Sequence, residues 1–111
     1  MKDLSFSPRA EARLEQIVDW TLQEFSVGQA DAYLERLQDH CKKLANGLAH
    51  HQSCRAVFAE DLREDLRFTR IAQHYVVFVE TDVAVMVVDF VHQRMDLGGV
   101  VKGQGSQSTR S

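Results

Sequence analysis

The sequence predicts an α+β fold: a small, mostly antiparallel β-sheet with an N-terminal strand and an α-helical hairpin packed on one face. Three observations carry this expectation. The stretch from Leu66 to Asp96 is dense in Val and Phe and holds no proline. Such residues pack well on a pleated surface. One short break at Thr81-Asp82 divides the stretch into two apolar runs, as a tight hairpin requires. Upstream, two segments carry apolar residues at helical spacing and polar residues between them.

At the N-terminus, Leu4-Ser5-Phe6 alternates and reads as a first strand. Ser7 can cap free amides, and Pro8 suits the first helical position because its missing N–H is not needed there. Ala10, Leu14, Ile17, Val18, Thr21 and Phe25 then form one stripe, which predicts a helix over 8–25. Ser26-Val27-Gly28 reads as a break. A second stripe follows through Ala30, Tyr33, Leu34, Leu37, Cys41, Leu44 and Ala45, and Gly47 stands where a left-handed cap is expected. A short connection between two such helices implies an antiparallel hairpin whose greasy side needs the sheet.

Residues 48–65 read as a polar connector with an apolar anchor at Val57-Phe58. His50, His51 and Cys54 lie close together there, but their spacing fits no common zinc pattern. No metal or other cofactor is expected. From Gly98 onward, Gly, Ser, Gln and Thr dominate. That composition cannot build a core, so 98–111 is expected to be a flexible tail behind a domain over 1–97.

The chain has 111 residues and a formal net charge of −3. One domain with a modest core is the natural size. The acidic balance argues against a surface devoted to free nucleic acid, while leaving room for a local basic patch. Glu80, Asp82 and Asp89 cut the strand region, so no membrane span is expected. With no long apolar segment at the N-terminus, a cytoplasmic protein with free Cys41 and Cys54 is expected.

Side chains alternate across a strand. By that parity Val83, Val85, Val87 and Val91 share one side of the last strand, and Ala84, Met86, Val88 and Phe90 the other. Both sides are apolar, and two helices cover only one. Either a partner covers the second, or the connector and tail fold over it. The parity of Met86, Val88 and Phe90 continues into His92, Arg94 and Asp96. Arg67, Arg70 and His74 come from the preceding strands. An Arg and His cluster at one end of the sheet would suit phosphate or carboxylate and proton exchange. The plainer alternative pairs Arg94 with Asp96 or Asp89 and leaves His92 on the surface.

The ordered set LSFSPRAEARLEQIVDW, AYLERLQDHCKKLA, LRFTRIAQHYVVFVE and FVHQRMD spans Leu4 to Asp96. Together these segments resemble toxins of the RelE/ParE superfamily from bacterial type II toxin–antitoxin systems, and the ParE branch most. The resemblance implies the same order of strand, helical hairpin and sheet. It implies a cognate, ParD-like antitoxin and, for the ParE branch, DNA gyrase as the target. Arg67, Arg70, His74, Met86, Val88, Phe90, His92 and Arg94 are then the expected target- or partner-binding residues. RelE-like members instead cut mRNA on the ribosome; here that chemistry would fall to His92, Arg94, Arg67 and Arg70. A third alternative is a degenerate, non-toxic binding protein. Lysines are absent between Lys43 and Lys102, and no Tyr follows Tyr75, which makes a thin set for a nuclease. The connector also lacks the Pro/Gly-rich character usual in the family.

Overall fold

Each helix begins where a side chain can satisfy its free amides. The computed structural model describes residues 2–48, 51–54, 65–95 and 97–100. Its elements are β1 (Asp3–Phe6), α1 (Pro8–Glu24), α2 (Val27–Ala45), β2 (Gln52–Ser53), β3 (Leu66–Ile71), β4 (His74–Glu80) and β5 (Ala84–His92). Ser7 is extended, and its Oγ accepts from the Ala10 N–H at 3.1 Å. Pro8 follows at the first helical turn, where a missing N–H costs nothing. The Thr21 hydroxyl donates to the Ile17 carbonyl at 2.7 Å, which removes the cost of burying it.

The break between the helices is shorter than the sequence implies. Ser26 caps α2 through a reciprocal box: its Oγ accepts from the Gln29 N–H at 3.2 Å, and its own N–H donates to Gln29 Oε1 at 3.1 Å. Val27 and Gly28 therefore lie inside the first turn of α2. At the other end Gly47 takes φ +73°, and the Leu48 N–H reaches back to the Lys43 carbonyl at 2.8 Å. A Cβ is disfavoured in that conformation, so glycine belongs there.

The sheet order is β1-β5-β4-β3-β2. β1 is parallel to β5, and every other pairing is antiparallel. The two-residue β2, from the connector, adds an edge strand that the sequence patterning did not announce. Against the helices lie Val76, Phe78, Val85, Val87 and Phe90, packed with Ala10, Ile17, Leu37, Cys41 and Leu44. A second cluster forms on the reverse side from Leu66, Phe68, Val77, Val79, Val88 and Val91.

The alternation expected along β5 fails at one point. Val77 pairs with Asp89 but Phe78 pairs with Val87, so Val88 is an extra residue with no partner on β4. A bulge of this kind shifts the side chains beyond it to the opposite face. Phe90 consequently packs with the helices, while Met86, opposite Val79, and Val88 belong to the reverse side. The expectation that Met86, Val88 and Phe90 share a face is corrected accordingly.

The reverse side is also less open than expected. Cys54, after β2, and Leu97 and Val100, in a helical turn at 97–100, pack on the second cluster. Gly98 and Gly99 thus sit in a helical segment. Val83 and Met86 remain exposed near the β4–β5 turn. Val57, Phe58 and residues 101–111 lie outside the described residues.

Beyond Phe6, the outer edge of β5 meets α1 instead of β1. There Asp89 is fully buried. Its Oδ1 accepts from Arg13 Nε at 3.1 Å and from the Phe90 N–H at 2.8 Å, and Oδ2 lies 3.7 Å from Arg9 Nε. This carboxylate ties the first helix to the last strand. Removing one partner of a buried pair leaves an uncompensated charge, a loss of about 3–5 kcal/mol.

Two stability measurements follow. Phe78→Ala should lower the unfolding free energy by about 3–5 kcal/mol in urea, because Phe78 is fully buried between helices and sheet. Arg13→Met should cost more than Asp89→Asn, since the first strands a buried carboxylate and the second keeps an acceptor for Arg13 and Phe90. Equal midpoints for those two variants would contradict the clamp.

Candidate functional site

The β3–β4 turn and the end of β5 lie side by side, because Ile71 pairs with His74 and His74 with His92. Ala72, in the turn, has φ +51°, an uncommon value for a residue with a Cβ. The Gln93 N–H donates to the Gln73 carbonyl at 2.8 Å and closes this end of the sheet. α1 passes over the same end, so its last turns face the two histidines. A cleft of about 540 Å³ results, lined among others by Ile17, Trp20, Phe90, His92, Arg94 and Met95. That volume is in the range of small-ligand pockets.

At the floor of the cleft are two imidazoles. The His74 and His92 rings are perpendicular, with centroids 5.0 Å apart. Trp20 meets both edge-on, at 6.5 Å from His74 and 5.7 Å from His92. Their proton positions follow from their neighbours. The Tyr33 hydroxyl accepts from the Gln73 N–H at 3.2 Å and shares a 2.6 Å hydrogen bond with His74 Nδ1. Burial pushes the Tyr33 phenol up, against smaller downward pulls from the Gln73 amide and Arg36, which keeps it a donor. When Tyr33 is the donor in that bond, His74 carries its hydrogen on Nε2. His92 Nδ1 accepts from the Arg94 N–H at 3.1 Å, which leaves the Nε2 hydrogen on that ring too.

His74 is pushed down to about 4, first by burial and second by the neighbouring His92. It is neutral at physiological pH. A base of this kind is poorly suited to proton exchange near pH 7.

The residues nominated from sequence separate into three groups. His74, Phe90, His92 and Arg94 meet in the cleft. Arg70 is at the same end of the sheet but turns to the Tyr75 side: its guanidinium carbon is 5.8 Å from that ring centroid, and it hydrogen-bonds to Gln93 and the Ala72 carbonyl. Arg67 is elsewhere, with Nε 3.3 Å from Glu80, a carboxylate that also binds Lys2 at 3.0 Å. Met86 and Val88 lie on the reverse side. The expected gathering of Arg67, Arg70, His92 and Arg94 is thus corrected. Glu80 neutralises Arg67, and strand alternation sends Arg70 to the other face.

The pairing of Arg94 with Asp89 is likewise replaced, because Arg13 and Arg9 take that carboxylate. Asp96 lies outside the described residues. His51 approaches Glu80 at 3.7 Å. Cys54 is buried and its thiol is pushed up to about 12 by burial, partly offset by Arg67, so it is inert. His50 is not among the described residues. Sequence reasoning missed Trp20 and Tyr33 as neighbours of the histidines. Trp20 follows Ile17 by three positions on α1, and that helical spacing was the available signal.

The depressed His74 has a definite consequence for stability against pH. Unfolded, its imidazole titrates near 6.5; folded, near 4. Above pH 6.5 neither state is protonated and the full stability is present. Between 6.5 and 4 the unfolded chain takes up the proton first, so stability falls with pH. The stability gap between the parent and His74→Gln should therefore narrow as pH drops from 7.5 to 4.5 in urea titrations. A gap independent of pH would refute the assignment.

Comparison with known proteins bears on the whole chain. The family model described as ParE toxin of type II toxin–antitoxin system, parDE, matches residues 4–97. Toxin ParE1 proteins of two Mycobacterium tuberculosis strains, CDC 1551 / Oshkosh and ATCC 25618 / H37Rv, are each 32% identical over 92 residues, covering 82% of this chain and 89% of the relative. A solved structure titled as the chromosomal ParDE TA system from P. aeruginosa superposes with a TM-score of 0.63 at 12% identity, over 83% of this chain and 96% of that one. At that identity the likeness speaks for the fold alone. The chain belongs to the ParE toxin family and is the toxin component of a type II toxin–antitoxin system.

Proposed function

We propose that this toxin arrests growth by binding DNA gyrase in the cytoplasm and that a cognate, ParD-like antitoxin neutralises it. On this reading the activity is binding, not a reaction catalysed by the chain. The observation that carries it is the dispersal of the nuclease set. Metal-free RNA cleavage needs a base, an acid and cations around one phosphate. Arg67 is held by Glu80, Arg70 faces away with Tyr75, and His74 is neutral with Nδ1 occupied by Tyr33. His92 and Arg94 are left without the remainder of that apparatus. Among the described residues no helix is long and apolar enough to cross a membrane.

Purified toxin should inhibit gyrase-catalysed supercoiling of relaxed plasmid, and its expression should induce the DNA-damage response. Addition of the antitoxin encoded beside it should restore both. Unchanged supercoiling at excess toxin, with translated messages cut and the cuts lost in His92→Ala, would favour the ribosome-dependent nuclease. Normal growth with tight antitoxin binding would favour a degenerate binding protein.

A further inference from the structure

The geometry points to the His74–His92 cleft as a binding site for an acidic peptide: a carboxylate held by the two imidazole N–H groups and Arg94, with its apolar neighbour against Trp20. This rests on the donor geometry and holds whether or not gyrase is the target.

Several features converge on that ligand. His92 is fixed as an Nε2–H donor by the Arg94 N–H on its Nδ1, and His74 joins it when Tyr33 donates to its Nδ1. Each then presents a hydrogen and no acceptor from its outer nitrogen. The two ring centroids are 5.0 Å apart, and both rings line the same cleft. Neither Nε2 has a hydrogen-bond partner among the described residues, and both rings line the cleft. Arg94 is exposed at the rim, and its guanidinium has no partner among the described residues. Charge-assisted hydrogen bonds from such a group are about twice as strong as neutral ones.

The walls fit an apolar side chain beside the carboxylate. Ile17, Trp20, Phe90 and Met95 line the cleft, and Phe25 and Met95 are exposed at its mouth. A phosphodiester strand is the poorer occupant. It needs a track of cations, whereas Arg13 is spent on Asp89 and Gln16.

Trp20 is the sole tryptophan of the chain, so its fluorescence reads the cleft directly. Full-length toxin should be titrated with an N-acetylated, C-amidated leucyl-glutamate dipeptide, its leucyl-glutamine counterpart, and a uridylyl-adenosine dinucleotide. The expected result is a saturable fluorescence change with the glutamate peptide, at least ten-fold weaker binding of the glutamine peptide, and Nε2 shifts of both His74 and His92 in ¹⁵N spectra. Arg94→Gln, at an exposed position that carries no core contact, should weaken the glutamate peptide about ten-fold. Equal binding of the two peptides, no Nε2 shift, or preference for the dinucleotide would each overturn the assignment.

Discussion

The pairing of β4 with β5 governs this molecule, and one surplus residue governs the pairing. Val88 has no partner opposite it. Before it, Val85 and Val87 face the helices; after it, Phe90 does. Without the bulge, strict alternation would send Phe90 and His92 to the reverse side and leave Trp20 without its imidazole neighbours. The same irregularity puts Asp89 at the β5 edge where Arg13 descends from α1. A local change of register thus supplies the helix–strand clamp and the cleft beside it.

Much of the architecture was legible before the structure. Ser7-Pro8 announced α1, Gly47 closed α2, and Thr81-Asp82 marked the β4–β5 turn, because each of these residues has a strong backbone preference of its own. The family resemblance was carried by the same segments. Less legible were features set by distant contacts. The bulge at Val88 has no local signature: Val87-Val88-Asp89 is ordinary strand sequence, and only the paired register shows the extra residue. Parity counting therefore failed for Phe90. The reverse-side cover from Cys54, Leu97 and Val100 was hidden because a Gly-containing turn looks the same whether it packs or hangs free.

The site was half visible for a related reason. Residue type identified His74, His92 and Arg94, and strand order brought them to one end. Type alone could not show that Arg67 is committed to Glu80, or that Arg70 turns toward Tyr75. Nor could it reveal that Tyr33, forty residues from Gln73 in sequence, hydrogen-bonds both Gln73 and the His74 ring. A cation counted from sequence is available for recognition only when no carboxylate in the fold has already claimed it.

The parallel pairing of β1 with β5 joins the first strand to the last. Asp3 lies opposite Ala84, a separation of 84 − 3 = 81 positions. Among the described residues β5 is the sole strand that β1 pairs with, so β1 waits for it while the residues between them are synthesised. Contacts this far apart are slow to close. The toxin fold thus stays incomplete until β5 has left the ribosome. That delay gives an antitoxin already present time to meet the toxin as its fold is completed.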